Sequence, residues 1–338
     1  MPDQKRVTIK DVARETGLAM STVSNALAGK DLVKPKTRAF VVETAERLGY
    51  RASIVARSLR AQRSYAIGVL IEDVSNPSAS AFVRGVEDVA NSVGCTLLLA
   101  DTDSDLERQV MAMRTLIDRQ VDGLVLISQH LDDSRVREML TAGTPSVLVQ
   151  RRDPRLPLDY VGSDNTGGVI EALRYISRIG HKRVGFVTGP IHSSSVLERL
   201  ETFQATAAEL GFEDPESLIH EGRYSFGSGL EAAGFFSGLR TPPTCILASN
   251  DMNAIGLMQG LSERGMATPR DVSVVGLDDI DLAGFKAIDL TTVRLEKRAI
   301  GAEAARLLLR RVDEPDRPAE SSILPTRLIV RGTTAPLT

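Results

Sequence analysis

Aromatic residues are scarce in this 338-residue chain, and tryptophan is absent. Phe, Tyr and Trp together make up 4% of the residues, whereas hydrophobic residues reach 42%, so the cores must be built mainly from aliphatic side chains. There are only two cysteines, Cys95 and Cys245, and each lies inside an apolar run. This placement predicts buried free thiols and argues against a disulfide. The length is sufficient for two or three domains.

Long apolar runs are also missing. No stretch approaches the length that a helix needs to cross a membrane. The first ten residues, MPDQKRVTIK, lack the apolar segment of a secretory signal peptide. We therefore expect a cytoplasmic protein that has no membrane partner.

Motifs that would indicate catalysis or cofactor binding are absent from the sequence. It contains no G-x-G-x-x-G fingerprint, no Walker P-loop, no HExxH pair and no G-x-S-x-G elbow. The four histidines are scattered and do not pair with cysteine at ligand spacing. The sequence thus gives no reason to expect a cofactor, a metal site or catalytic residues.

Charge is distributed unevenly along the chain. Residues 1–60 hold 12 Lys and Arg against 6 Asp and Glu, so this part carries about +6. Because the whole chain carries −3, about −9 remains for the rest. A basic N-terminal segment on an acidic body is typical of a DNA-binding module joined to a regulatory one.

The basic segment contains a helix-turn-helix pattern over residues 8–29, TIKDVARETGLAMSTVSNALAG. Thr8 is suited to cap the first helix, Gly17 interrupts the pattern, and a second helix is predicted to begin near Met20. The outward face of the second helix is small, polar and almost uncharged, which suits base edges in a major groove. The alternative is a helical hairpin packed on a larger domain. A third helix after residues 34–37 would complete a small core.

Residues 52–64, ASIVARSLRAQRS, follow this unit and hold three arginines. Residues 54–60 can form about two helical turns, which are marginal in water unless they pack against something. Leu59 could insert between base steps of a minor groove. The alternative is an ordinary linker.

From residue 65 onward, short apolar strands alternate with amphipathic helices, which predicts a parallel α/β architecture. Strands are expected at 66–71, 96–100, 123–127, 146–149, 183–188, 245–248 and 272–276, and helices at 82–93, 106–119, 196–210 and 226–238. Two similar strand openings, AIGVLIED and RVGFVTGP, indicate two related lobes with a cleft at the carboxyl ends of their strands.

An ordered set of motifs resembles the lactose-repressor/purine-repressor (LacI/GalR) family of bacterial transcription regulators. The set is TIKDVA, STVSNAL, VARSL, SNP at 75–77, DN at 164–165, GHKRVGFVTGP, SNDMNAIG and DVSVVGLDD. The resemblance implies an α/β fold with an N-terminal helix-turn-helix headpiece and a two-lobed, periplasmic-binding-protein-like, doubly wound body. The implied boundaries are 1–51 for the headpiece, 52–64 for the hinge and 65–338 for the body. Within the body the N-lobe would span about 65–163 and 295–322, and the C-lobe about 164–294 and 323–338.

The same resemblance implies a homodimer that binds double-stranded operator DNA and a small-molecule effector, such as a sugar or related metabolite. Its DNA-binding positions would be Thr8, Met20, Ser21, Thr22, Ser24, Asn25, Lys36, Leu59 and Arg60. Its effector-binding positions would be Ser78, Gln150, Arg199, Tyr224, Asp251 and Asp278. Ser78 and Gln150 depart from the usual aromatic and aspartate residues, and Arg151, Arg152 and Arg223 suggest a charged metabolite.

Four alternatives remain at this point. Asp251 could simply begin a helix, and Asp278 could cap one. The body alone would also suit a ligand-binding transport module, or an open α/β enzyme that uses one of these aspartates as a base. The expected function is a transcription regulator, more specifically a repressor controlled by a bound effector.

Overall fold

The computed structural model describes residues 7–27, 31–50 and 63–337. The chain divides into two compact units, Met1–Ser64 and Tyr65–Thr338. Within the described residues, no helix is both long and apolar enough to cross a membrane.

The described part of the smaller unit, residues 7–27 and 31–50, contains three helices, α1 (Ile9–Thr16), α2 (Met20–Leu27) and α3 (Pro35–Arg47). Thr8 precedes α1, and its backbone N–H and hydroxyl both donate to the Asp11 carboxylate, at 2.9 and 2.7 Å. Gly17 ends α1 in a left-handed conformation (φ +66°), which costs glycine little. The three helices bury one apolar cluster: Val12, Val23, Ala26, Val33, Val41 and Ala45.

The larger unit contains two six-stranded sheets. Their strands are β1 (Ala66–Ile71), β2 (Thr96–Asp101), β3 (Gly123–Ile127), β4 (Ser146–Val149), β5 (Asp159–Ser163), β6 (Val184–Val187), β7 (Ile219–His220), β8 (Cys245–Ala248), β9 (Ser273–Asp278), β10 (Thr291–Leu295), β11 (Ser321–Leu324) and β12 (Thr326–Ile329). The first sheet has the order β11-β5-β4-β3-β1-β2, and all its pairs are parallel. The second has the order β12-β10-β9-β8-β6-β7, in which only β12 is antiparallel to its neighbour.

Eight helices of this unit cover the sheets. They are α4 (Pro77–Ser92), α5 (Leu106–Asp118), α6 (Ser134–Thr141), α7 (Asn165–Arg178), α8 (Ser194–Glu209), α9 (Phe226–Ser237), α10 (Asp251–Glu263) and α11 (Lys297–Asp313), with short 3-10 turns at Pro215–Leu218 and Asp281–Gly284. Helices α4, α5, α6 and α11 accompany the first sheet and form the first lobe with it. Helices α7 to α10 accompany the second sheet and form the second lobe.

Both faces of the central strands of each sheet are buried, as expected when helices cover a parallel sheet on both sides. In β1, Ile67, Val69 and Ile71 enter one apolar cluster and Leu70 enters another. The chain passes between the lobes three times, after β5, after β10 and after β11. The predicted fold class is confirmed.

The sequence prediction missed several elements of this fold. Strands β5, β7, β10 and β11 and helices α7 and α11 were not predicted, and α4 begins at Pro77 instead of Phe82. Helix α10 was considered only as the alternative that Asp251 begins a helix, and it does begin there. The earlier start of α4 has a local cause. Asn76 caps α4 by accepting a hydrogen bond from the Ser78 N–H at 3.0 Å, and Pro77 occupies the first helical position.

Candidate functional site

A cleft of about 560 Å³ lies where the carboxyl ends of the two sheets meet. The first lobe contributes Glu72, Asp73, Asn76, Ser78, Ala79, Phe82, Ile127, Ser128 and Gln150, and the second contributes Ser195, Arg199, Tyr224, Asn250, Asp278 and Leu295. Strand ends and helix starts supply most of these residues, as expected for a ligand site in an open α/β fold.

Strained backbone marks several of the strand ends at this cleft. Ser128 follows β3, Gln150 follows β4 and Asp278 ends β9, and all three have positive φ angles, of 57°, 66° and 132°. Asp279 follows with a φ of 53°. Residues other than glycine adopt such angles at a cost of about 1–3 kcal/mol, and these residues cluster at functional sites. Their position here supports the cleft as the site of ligand binding.

Arg199 is the cation that lines the cleft, and it is almost fully buried. Its Nε donates to Asn165 Oδ1 and its Nη1 to the Ser249 carbonyl, each at 2.9 Å. The Asn165 amide in turn donates to Glu198 Oε2 at 2.8 Å. These bonds fix the plane of the guanidinium and leave further N–H donors for a ligand.

Asp278 faces Arg199 from the end of β9. Burial raises the pKa of its carboxyl, while Lys297, Arg199 and a hydrogen bond from Ser78 act in the opposite direction. Ser78 belongs to the first lobe, so it acts on Asp278 from across the cleft. Lys297 also donates its Nζ to the main-chain carbonyls of Asp278 and Asp279, which holds this strand end in place.

The predicted effector residue Asp251 is not among the described residues that line the cleft. Its carboxylate lies in the core of the second lobe, where it accepts from Thr292 Oγ1 at 2.5 Å and from the Ile280 N–H at 2.8 Å. Burial and the neighbouring Asp278 raise its pKa to about 7. Asn250 lines the cleft beside it and caps α10 by accepting from the Asn253 N–H.

The other five predicted effector residues all line the cleft: Ser78, Gln150, Arg199, Tyr224 and Asp278. Gln150 is partly committed to the protein, because its Nε2 donates to Ser163 Oγ at 2.8 Å. The sequence reasoning did not single out Glu72, Asp73, Phe82, Ser128 and Leu295. Glu72 and Asp73 could have been found, because they directly follow a predicted strand.

Three arginines that suggested a charged ligand are each paired with a carboxylate. Arg151 binds Glu72 at 2.7 Å, Arg152 binds Glu198 at 2.7 Å and Arg223 binds Glu231 at 3.4 Å. The cleft itself is lined by three carboxylates, Glu72, Asp73 and Asp278, against Arg199. Its lining therefore offers no excess of positive charge.

The polar face of α2 lies opposite its buried residues, Val23 and Ala26. Met20 and Ser21 are exposed, and Thr22, Ser24 and Asn25 are half-buried. Thr8 and Lys36 are exposed near the starts of α1 and α3. The predicted hinge residues Leu59 and Arg60 lie outside the described residues.

Comparison with known proteins agrees with this architecture. A family model described as bacterial regulatory proteins, lacI family, matches residues 8–53, and one described as a periplasmic binding protein-like domain matches residues 173–334. Catabolite control protein A of Priestia megaterium is 31% identical over 329 residues, which cover 97% of this chain and 99% of that protein. The chain belongs to the lacI family.

Two solved structures of transcription regulators show the same fold. The lac repressor dimer bound to operator and the anti-inducer ONPF superimposes with a TM-score of 0.87 at 26% identity and covers 98% of this chain and 100% of its own. A complex of the transcriptional regulator CelR with cellobiose gives a TM-score of 0.74 at 28% identity, covering 97% and 100%. This lacI-family protein is a DNA-binding transcriptional regulator and not an enzyme, which confirms the main prediction over its two rivals.

Proposed function

We propose that the protein is a homodimeric, sequence-specific repressor that acts in the cytoplasm. An effector bound in the cleft would control the affinity of the protein for operator DNA. The observation that carries this proposal is a cleft lined by polar residues of both lobes, in a chain whose N-terminal helices carry a polar, outward-facing α2. The boundaries proposed for its parts are 1–51 (headpiece), 52–64 (hinge) and 65–338 (body).

The DNA-binding part of the proposal assigns base contacts to α2. Ser21, Thr22, Ser24 and Asn25 lie away from the buried side of that helix, and Met20 stands exposed at its start. Small polar side chains of this kind suit base edges in a major groove. Thr8 and Lys36 would bind phosphate, which fixes position without reading sequence. Leu59 and Arg60 of the hinge would contact the minor groove.

The effector part assigns an uncharged, polyhydroxylated molecule to the cleft. Asp278 and Arg199 supply an acceptor and donors from one side, and Asn76 and Asn250 add amides. Tyr224 and Phe82 offer apolar ring surfaces, on which the C–H faces of a sugar can pack. The CelR complex with cellobiose is a relative with a ligand of this class.

Regulation would follow from the differential affinity of the effector for two arrangements of the lobes. A ligand that binds one arrangement more tightly shifts the population toward it, and only by that difference. An effector that favours the DNA-bound arrangement acts as a corepressor, and one that favours the other acts as an inducer.

The proposal is tested by selecting binding sites for the full chain from random double-stranded DNA. A palindromic consensus bound by two chains is expected. Neutral mono- and disaccharides are then titrated into a gel shift with the selected duplex. At least one is expected to change the operator affinity, and Asp278→Asn to abolish its effect. Selection that yields no preferred sequence would overturn the DNA-binding assignment, and a full sugar panel without effect would overturn the effector class.

A further inference from the structure

A second cavity of about 590 Å³ lies beside the effector cleft, and again both lobes contribute to it. It is lined by Gln129, His130, Leu131, Asp132, Arg151, Arg152, Asp153, Pro154, Arg155, His192, Ser194 and Leu197. The two cavities are adjacent, because neighbouring residues of the chain line them. Gln150 and Ser195 line the first cavity, and Arg151 and Ser194 line the second.

Two buried side chains of this second cavity carry polar atoms that have no partner among the described residues. Arg151 is 3% exposed and gives only its Nη2 to Glu72, so its Nε and Nη1 donors are unused. Gln129 is 2% exposed and gives its Nε2 to the Ile127 carbonyl, so its Oε1 acceptor is unused. A buried polar group without a hydrogen bond is costly, which makes two in one cavity a sign of a ligand site.

The charged groups around this cavity balance one another, and Arg155 pairs with Asp153 at 2.7 Å. Arg151, Arg152 and Arg155 line it against Asp132 and Asp153. Glu72 and Glu198 pair with the first two arginines from outside the lining, and Arg137 reaches Asp153 at 3.3 Å. The unused donors nevertheless belong to an arginine, whose N–H groups bind oxyanions with charge-assisted hydrogen bonds.

Two histidines close this cavity from opposite lobes. The rings of His130 and His192 stack with their centroids 4.8 Å apart. Burial, Arg151 and His130 lower the pKa of His192, so its ring is neutral near pH 7. A neutral imidazole adds no fixed charge and offers a donor or an acceptor to a polar ligand.

We propose that this cavity is a second ligand site, separate from the effector cleft, that binds a small oxyanion carrying a hydroxyl group. The oxyanion accepts hydrogen bonds from Nε and Nη1 of Arg151, and the hydroxyl donates to Oε1 of Gln129.

The test uses the full-length protein without DNA and isothermal titration calorimetry with three probes: glycolate, acetate and inorganic phosphate. Glycolate is expected to bind saturably and more tightly than acetate, since only glycolate has a hydroxyl for Gln129. Arg151→Lys keeps the charge opposite Glu72 but lacks the two unused donors, so it should weaken glycolate binding about tenfold. The matched control is Arg270→Lys, a surface arginine paired with Asp271, which should change nothing.

A second variant keeps the test decisive if Arg151→Lys does not fold. Gln129→Met has a similar shape without the acceptor, and it should remove the preference for glycolate over acetate. Saturable phosphate binding that Arg151→Lys weakens assigns the site to phosphorylated ligands and also supports the proposal. Absence of saturable binding of all three probes overturns it. Binding that Arg199→Lys abolishes and Arg151→Lys spares overturns it as well, because the anion then occupies the effector cleft.

Discussion

Asp251 and Asp278 lie close together in the second lobe, yet their surroundings give them different roles. Asp278 lines the cleft, whereas Asp251 is enclosed and bonded to Thr292 and Ile280. A buried carboxyl beside a second one is costly to ionise, so the protonated form of Asp251 is favoured. Asp251 thus contributes to the packing behind the cleft.

This difference predicts a pH-dependent stability that Asp251→Asn removes. The pKa of Asp251 is about 7 in the folded protein and near 4 when unfolded, so the folded state retains a proton that the unfolded chain has lost. By linkage, its contribution is fully present below pH 4 and is lost as the pH rises through 7. Relative to Asp251→Asn, the wild-type free energy of unfolding should fall by up to about 4 kcal/mol over this range. Urea denaturation at several pH values measures this change, and a constant difference would contradict it.

Asn25 and Lys36 are predicted to act on DNA in different ways. Asn25 lies on the polar side of α2 and is assigned to a base, so Asn25→Ala should lower discrimination at one position of the operator by about 1–3 kcal/mol. Lys36 is exposed and assigned to a phosphate, so Lys36→Ala should weaken binding to all sequences alike and reduce the salt slope by about 1. Fluorescence anisotropy with matched and mismatched duplexes at several salt concentrations separates the two effects. Equal behaviour of both variants would contradict the assignment.

At the level of single residues, the sequence predicted only part of the cleft lining. Arg199, Tyr224 and Asp278, which the motifs named, line the same cleft. The sequence could not separate Asp251 from Asn250, since both follow β8 and the helix start decides which of the two points to the cleft. The carboxylate partners of Arg151 and Arg152 could not be predicted either, because Glu72 and Glu198 are distant from these arginines in the sequence.

At the scale of elements, strands with continuous apolar runs were predictable and strands held by distant ion pairs were not. The aliphatic residues of four strands were enough to predict them: β1, β3, β4 and β8. β5 begins with Asp159, which is fully buried because Arg311 and Arg317 bind its carboxylate. These arginines lie about 150 residues further along the chain, so no local pattern could indicate that Asp159 is buried.

Each lobe contains one helix pair that packs through glycine. In the first lobe, a Cβ on Gly301 of α11 would stand 2.0 Å from the Phe82 carbonyl oxygen of α4. In the second, a Cβ on Gly256 of α10 would stand 2.0 Å from the Phe226 carbonyl oxygen of α9. The backbones therefore approach too closely for any other residue. This matching arrangement agrees with the similar strand openings of the two lobes.

Gly256→Ala is accordingly expected to destabilise the second lobe. The added methyl group meets backbone, which cannot rotate away, so overpacking should cost about 1–3 kcal/mol. The control is Gly227→Ala in α9, where a Cβ would have no neighbour within 4 Å. That change should be neutral or stabilise by up to about 1 kcal/mol, because alanine has the higher helix propensity. Thermal unfolding measures both variants, and equal melting temperatures would refute the close approach.

At the scale of the whole body, the chain crosses between the lobes three times, and a few side-chain contacts also connect the two lobes. Arg152 of the first lobe reaches Glu198 of the second at 2.7 Å, and its backbone N–H donates to Ser194 Oγ at 2.9 Å. Ser78 and Asp278 also face each other across the cleft. The stacked rings of His130 and His192 and the bonds from Lys297 to the second lobe complete this small set of contacts, so a ligand bound by both lobes can shift the balance between arrangements.

Removing the ion pair between Arg152 and Glu198 tests how much it stabilises the arrangement in which the lobes touch. Both side chains are partly exposed, so the pair contributes at most about 1 kcal/mol to the arrangement in which the lobes touch. An effector that needs both lobes should then bind Arg152→Ala up to about fivefold more weakly. Arg174→Ala is the control, because Arg174 pairs with Glu209 inside the second lobe and spans no boundary. Calorimetric titration of the effector found in the sugar panel compares the two variants with the wild type. If Arg152→Ala binds as tightly as Arg174→Ala, the pair does not influence lobe closure, and the effector acts through the remaining contacts within the cleft.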